Sequence, residues 1–256
     1  MQFVYCFKSE WLKKKKSLAS WLVVTGAFLT PLVICVSKLV RYERVAAANQ
    51  APDFWMALWK SSWESMSIFL LPLGTILATS LITQLEYKNN TWKQLHTTPQ
   101  SFTTLYFAKL AVVTIMLLQF FILFNIGIWL SAAIPSLLIP GVKYPPATIP
   151  WLFFGKENLR YFMEALPIMS LQYLVSLRFK NFLVPVGVGI VIWIISISVI
   201  SWKWGWLLPY TYGTYHYLQA SGRVVLKRPM DVYAIIYFVL FVIAGYTIYV
   251  GRKEKG

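Results

Sequence analysis

Over most of this chain the apolar positions do not alternate or recur along one helical face. They fill unbroken runs separated by short basic or aromatic segments. The first run, Trp21 to Val40, is entered after Lys13-Lys14-Lys15-Lys16 and left at Lys38 and Arg41. A helix rises about 1.5 Å per residue, so about 20 such residues cross a hydrocarbon core of roughly 30 Å. Further runs at 67–85, 106–135, 162–177, 182–201 and 232–250 bring the predicted spans to six. The fourth is the shortest, with Glu164 and Pro167 near its start; a five-span arrangement makes it re-entrant instead. Glu164 is expected to pair with Arg160, four residues earlier on the same helix. The first run is not read as a secretory signal, because it exceeds the usual apolar length of about 7 to 15 residues.

The segments between the runs are patterned as well. In residues 1–18, Phe3, Val4, Phe7, Trp11 and Leu18 share one arc of a helical wheel, with Lys8, Ser9, Lys13 and Lys16 on the other side. That describes a helix lying in the membrane interface, rings in the acyl boundary and lysines on anionic headgroups; the plainer reading is an unstructured basic tail. Residues 86–105 form a polar connection in which Asn90 or Thr91 can cap a short helix carrying Trp92 and Leu95 on one face, ended by Pro99; the plainer reading is a solvated loop. Residues 136–160 hold Pro140, Pro145, Pro146 and Pro150 and are expected to be irregular. Residues 202–231 crowd Trp202, Trp204, Trp206, Tyr210, Tyr212, Tyr215 and Tyr217 around glycines and Pro209. Rings of this kind prefer the membrane interface, so the segment either dips back as short helices or serves as an anchoring girdle.

Composition agrees with a membrane protein. Hydrophobic residues make up 58% and charged residues 13%, about half the charge of a soluble domain. The net charge of +15 comes from Lys and Arg at the ends of apolar runs, where anionic headgroups hold them, so nucleic acid is not an expected partner. Lys8, Lys13 to Lys16, Lys88, Lys93, Lys109, Arg178, Lys180, Arg252, Lys253 and Lys255, 13 of the 24 basic residues, fall on one side of a six-span arrangement, which places both termini in the cytoplasm.

Enzyme chemistry is scarce. His96 and His216 are the only histidines and fall on opposite sides, Cys6 and Cys35 form no CxxC motif, and no GxxxxGK[ST] or GxSxG sequence occurs. No metal, cofactor or catalytic residue is expected on this chain. Ser80 and Thr83 in the second run, with Gln84, and Gln119 and Asn125 in the third, are the polar groups within the spans. They either hydrogen-bond between helices or line a substrate path.

Two stretches carry a family likeness. Phe7-Lys8-Ser9-Glu10-Trp11-Leu12-Lys13-Lys14 holds an E-x-x-K opening. Glu86 through Thr91-Trp92, Leu95 and Pro99, followed by Lys109-Leu110, reads as E-x-x-x-x-T-W-x-x-L-x-x-x-P with a later K-L pair. With the layout of spans, these resemble the membrane subunit of ABC exporters of the ABC-2 type, most closely the small permeases of bacterial export and bacteriocin-immunity systems. The layout covers most of the chain, and the close likeness covers about residues 1–20 and 80–115; Asn90 stands where many relatives have glycine.

The resemblance implies an all-α, six-span permease of the type V exporter class. Its parts would be an interfacial helix bearing Phe3, Phe7, Trp11 and Lys13, a cytoplasmic coupling helix between the second and third spans, and a re-entrant outer loop before the sixth. It also implies that Glu86, Lys88, Trp92, Lys93 and Leu95 dock on a separate ABC ATPase chain, with Arg178 and Lys180 as a smaller second contact. ATP and Mg would be bound by that ATPase, and a second permease copy or paralogue and membrane lipids would complete the assembly in a bacterial cytoplasmic membrane. A non-transporting immunity or sensing protein, binding a peptide or lipid at the outer aromatic loop, is the alternative reading.

Overall fold

The computed structural model describes residues 2–15, 17–88, 101–225 and 228–251. Its helices are α1 (Gln2–Lys14), α2 (Leu18–Val40), α3 (Tyr42–Asn49), α4 (Phe54–Ser65), α5 (Leu71–Lys88), α6 (Phe102–Leu138), α7 (Trp151–Arg178), α8 (Leu183–Ser198), α9 (Tyr212–Ala220) and α10 (Met230–Gly251). A π-turn, Met66–Leu70, joins α4 to α5, and two 3₁₀ turns, Gly205–Leu207 and Pro209–Thr211, precede α9. No strand occurs among the described residues. Among the described residues four helical stretches are long and apolar enough to cross a membrane: Leu18–Val40, Phe54–Leu85, Phe102–Leu138 and Met230–Gly251. The chain is therefore an all-helical integral membrane protein. Helix α8, with 16 residues, is shorter, and α7 carries several charges.

Two helices start well before the apolar runs that predicted them. The second span extends back through the π-turn to Phe54, because Trp55, Trp59 and Trp63 recur at helical spacing and are buried despite the intervening Lys60, Ser61 and Glu64. Helix α7 begins at Trp151, so residues 151–160, expected to be irregular, are helical; the irregular stretch is confined to about 139–150.

α6 is the central rod. Its 37 residues rise about 55 Å, more than a bilayer core requires. Helices α1 and α2 run alongside it in the same direction; α1 ends at Lys14, and Ser17 Oγ caps α2 by accepting from Ser20 N–H at 3.3 Å. A Cβ at Gly127 of α6 would lie 2.9 Å from Pro31 of α2, so the two helices close on each other only because that position is glycine. Helix α7 runs antiparallel to α6, as the pairs Tyr106–Tyr173, Phe121–Phe162 and Asn125–Asn158 record. Helix α10 packs on α7 and α6, with Tyr106 Oη donating to Val242 O at 2.9 Å. The bundle thus has a proximal end, where α5, α7 and α10 finish, and a distal end that carries α9.

The packed face of α1 is not the arc of rings. Cys6, Glu10 and Lys14 are buried against α6, Phe7 and Trp11 are half-buried, and Phe3 and Val4 are exposed. The reason is local: Glu10 meets Lys109 of α6 at 3.8 Å and Lys14 donates to Gln119 at 2.8 Å, so the polar line is drawn inward.

Candidate functional site

The proximal end brings α5, α7 and α8 together through uncharged polar groups. Gln84 Nε2 donates to the carbonyls of Ser176 (3.0 Å) and Phe179 (2.6 Å), which ties the end of α5 to the α7–α8 turn. Above it, Gln172 Nε2 donates to Ser80 Oγ at 2.7 Å and to Pro185 O at 2.8 Å, and Ser176 Oγ to Ser80 Oγ at 3.3 Å. Gly189 of α8 permits this approach: a Cβ there would fall 2.6 Å from Gln172 Oε1 and 2.8 Å from Ile76.

Two of the residues expected to meet an ATPase lie beside this network. Arg178 and Lys180 lie at the exposed α7–α8 turn. Glu86 and Lys88 close α5. Their side chains, and Trp92, Lys93 and Leu95 with the rest of 89–100, lie outside the described residues.

The four groups considered for a substrate path each bond within the protein. Ser80 joins the network above, Thr83 Oγ1 donates to Thr79 O, and Gln119 accepts from Lys14. Asn125 and Asn158 exchange reciprocal amide hydrogen bonds of 2.8 and 3.0 Å between α6 and α7. None of the four lines the half-open apolar cavity of about 310 Å³ between α2, α5 and α6. That cavity exists because Gly26 and Gly74 face it without side chains, among Leu22, Leu29, Ala78, Met116 and Phe120.

A buried ionic cluster occupies the distal end. His216 of α9 lies between two carboxylates of α7: Nε2 is 2.7 Å from Glu157 Oε2 and Nδ1 is 3.0 Å from Glu164 Oε1. Tyr161 stacks on the imidazole with centroids 4.4 Å apart, and Trp63 stacks on Tyr161 at 3.8 Å. Burial disfavours charge on His216, but hydrogen bonds and charges from Glu157 and Glu164 outweigh it and raise the imidazole to about 9. It is therefore an imidazolium at neutral pH, with both ring nitrogens donating.

The expected Glu164–Arg160 pair is corrected here. Arg160 instead meets Glu157 at 3.2 Å and Asp231 of α10 at 3.7 Å, and Glu164 points to α9. The i, i+4, i+7 spacing of Glu157, Tyr161 and Glu164 was a legible signal that they share a face; that His216 meets them was not, since it is more than fifty residues away. Among the described residues no group of three His, Cys, Asp or Glu is arranged to hold a metal ion.

A family model described as "ABC-2 family transporter protein" matches residues 6–196 of this chain. No curated protein and no solved structure matches it. The matched region includes most of α1 and of the central bundle and both glutamates of the distal cluster; α9 and α10 follow it.

Proposed function

Because this chain belongs to the ABC-2 family of transporter proteins, we propose that it is the permease subunit of an ATP-driven exporter. In this reading two permease copies work with two ABC ATPase chains, which bind ATP and Mg, in a bacterial cytoplasmic membrane with both termini inside. Trp92 and Leu95 supply apolar anchors in a groove of the ATPase, while Glu86, Lys88 and Lys93 orient the contact from its rim. Arg178 and Lys180 form the smaller contact.

The observation that carries this reading is the Gln84 clamp. It binds the helix that leads into the 86–105 connection to the turn bearing Arg178 and Lys180, so force applied to either reaches α5, α7 and α8 together. Switching still requires each state to have its own favourable contacts, which the ATPases would supply by closing on ATP. The apolar cavity between α2, α5 and α6 supports an amphipathic or hydrophobic cargo, such as a peptide, lipid or drug. An immunity or sensing role at the aromatic segment has less support: Tyr210, Tyr212, Tyr215 and Tyr217 are buried in the fold, which leaves Trp202 and Trp204 as its exposed rings.

The test is purification of the tagged chain from its native cell in gentle detergent, with mass spectrometry and an ATPase assay. A P-loop ATPase that co-purifies, and is lost in Trp92→Ala or Glu86→Lys while membrane insertion persists, is the expected result. An ATPase-free chain in several detergents, or unchanged cargo-stimulated ATPase activity in the double variant, overturns the assignment.

A further inference from the structure

A groove of about 1150 Å³ opens on the flank of the molecule at the bend between α1 and α2. Its polar part is formed by Lys14, Lys15 and Gln119, and its apolar part by Trp21 and Val24 of α2 with Leu118 and Ile122 of α6. Trp21, Leu118 and Ile122 are exposed although they lie in or beside membrane-spanning helices, so this wall faces whatever surrounds the protein in the bilayer.

Lys14 sets this groove apart. Only 5% of it is exposed, yet it makes no ion pair with any described residue. Its ammonium donates to the neutral Gln119 amide and lies 3.9 Å from the Trp11 ring centroid. Glu10, one turn earlier, is engaged by Lys13 and Lys109. Burial accordingly lowers the pKa of Lys14, with no anion to oppose it. A buried cation without a counter-charge is costly, and an anion entering from the groove would remove that cost.

We propose that this groove binds an anionic phospholipid, with the headgroup phosphate on Lys14 and Lys15 and one acyl chain along Trp21, Val24, Leu118 and Ile122. Charge complementarity selects an anion, and the apolar wall continuous with the lysines selects one that carries a hydrocarbon chain. The lipid supplies a counter-ion that the described residues do not, and fills the angle between α1 and α2. Neither role depends on an ATPase partner, so the inference stands apart from the exporter reading.

The experiment is native mass spectrometry of the full chain in detergent, titrated with phosphatidylglycerol and phosphatidylcholine. The expected result is preferential retention of phosphatidylglycerol. Its apparent affinity should fall about fivefold in Lys14→Gln, the worth of one lysine at an anionic headgroup. The fall should be larger in Lys14→Gln/Lys15→Gln and largely absent in Lys14→Arg and in the distant Lys143→Gln. Ile122→Trp, at an exposed position, tests the apolar wall independently of whether the Lys14 variants fold; it should weaken retention of phosphatidylglycerol with both lysines intact. Equal retention of the two lipids, or phosphatidylglycerol binding unchanged in the folded Lys14→Gln and Ile122→Trp proteins, overturns the proposal. So does displacement of the lipid by millimolar inorganic phosphate, which marks a bare phosphate site, or a lipid-free dimer whose formation these substitutions abolish, which marks a contact between copies.

Discussion

Near the distal end of α7, Glu157 and Glu164 hold His216 of α9 between them, under a stack of Tyr161 and Trp63. Near the proximal end of the same helix, Gln172 and Ser176 meet Ser80 and Gln84 of α5 through neutral hydrogen bonds. The two regions share a helix and differ in how hard they are to rearrange. Removing one member of a buried ionic set leaves an uncompensated charge and costs about 3–5 kcal/mol, whereas a neutral hydrogen bond contributes about 0.5–1.5 kcal/mol net. The distal end is thereby suited to hold one arrangement, and the proximal end, where α5 finishes, can exchange partners at a smaller cost.

The sharpest way to break this contrast is His216→Ala, which leaves Glu157 and Glu164 buried without their shared cation. It should destabilise the protein by about 3–5 kcal/mol, read by thermal unfolding in detergent. Replacing the three ionic residues together, as Glu157→Gln/Glu164→Gln/His216→Gln, should recover much of the loss, and failure to recover it would show that shape, not charge, dominates there.

A smaller effect should appear with pH alone. A histidine raised from 6.5 to about 9 in the folded protein stabilises it fully below 6.5, and that contribution declines as pH rises and is gone above about 9. The wild-type unfolding temperature should therefore fall between pH 7 and 9.5, and His216→Ala should remove this part of the decline. Smaller again in stability is Gln84→Leu, at about 1–3 kcal/mol for the carbonyls it leaves unpaired. Its larger consequence should be in coupling, measured as cargo-stimulated ATPase activity of the assembled complex.

The least disruptive change is Gly74→Leu. A Cβ at Gly74 meets nothing within 4 Å, so the side chain can grow into the 310 Å³ cavity. Unfolding should shift by no more than the roughly 0.5–2 kcal/mol typical of cavity filling. Cargo stimulation of the ATPase should nonetheless drop, and unchanged stimulation would separate the cavity from the transport path.

Much of the helical layout was legible before any coordinates. The runs at 21–40 and 232–250 nearly coincide with α2 and α10, because each is uniformly apolar and bounded by charged or turn-forming residues. Trp55, Trp59 and Trp63 were harder to place, since a window average counts Lys60 and Glu64 against the span while tertiary packing buries only the tryptophan face. Polar residues within spans were visible as a class, but not their partners. Asn125 finds Asn158 and Gln84 finds Ser176, each on a helix that only the antiparallel packing of α7 brings alongside.

Sequence alone determined that this protein belongs in a membrane and is helical there. A hydrocarbon core admits only long apolar segments whose backbone groups are satisfied internally, and composition with run length is enough to recognise them. The tertiary structure decided which of the few polar groups are charged together, which are neutral together and which, like Lys14, meet no counter-charge among the described residues. Those outcomes depend on contacts across dozens or a hundred residues of chain, and in a low-dielectric interior a change of partner alters their energy more than any local sequence pattern can encode.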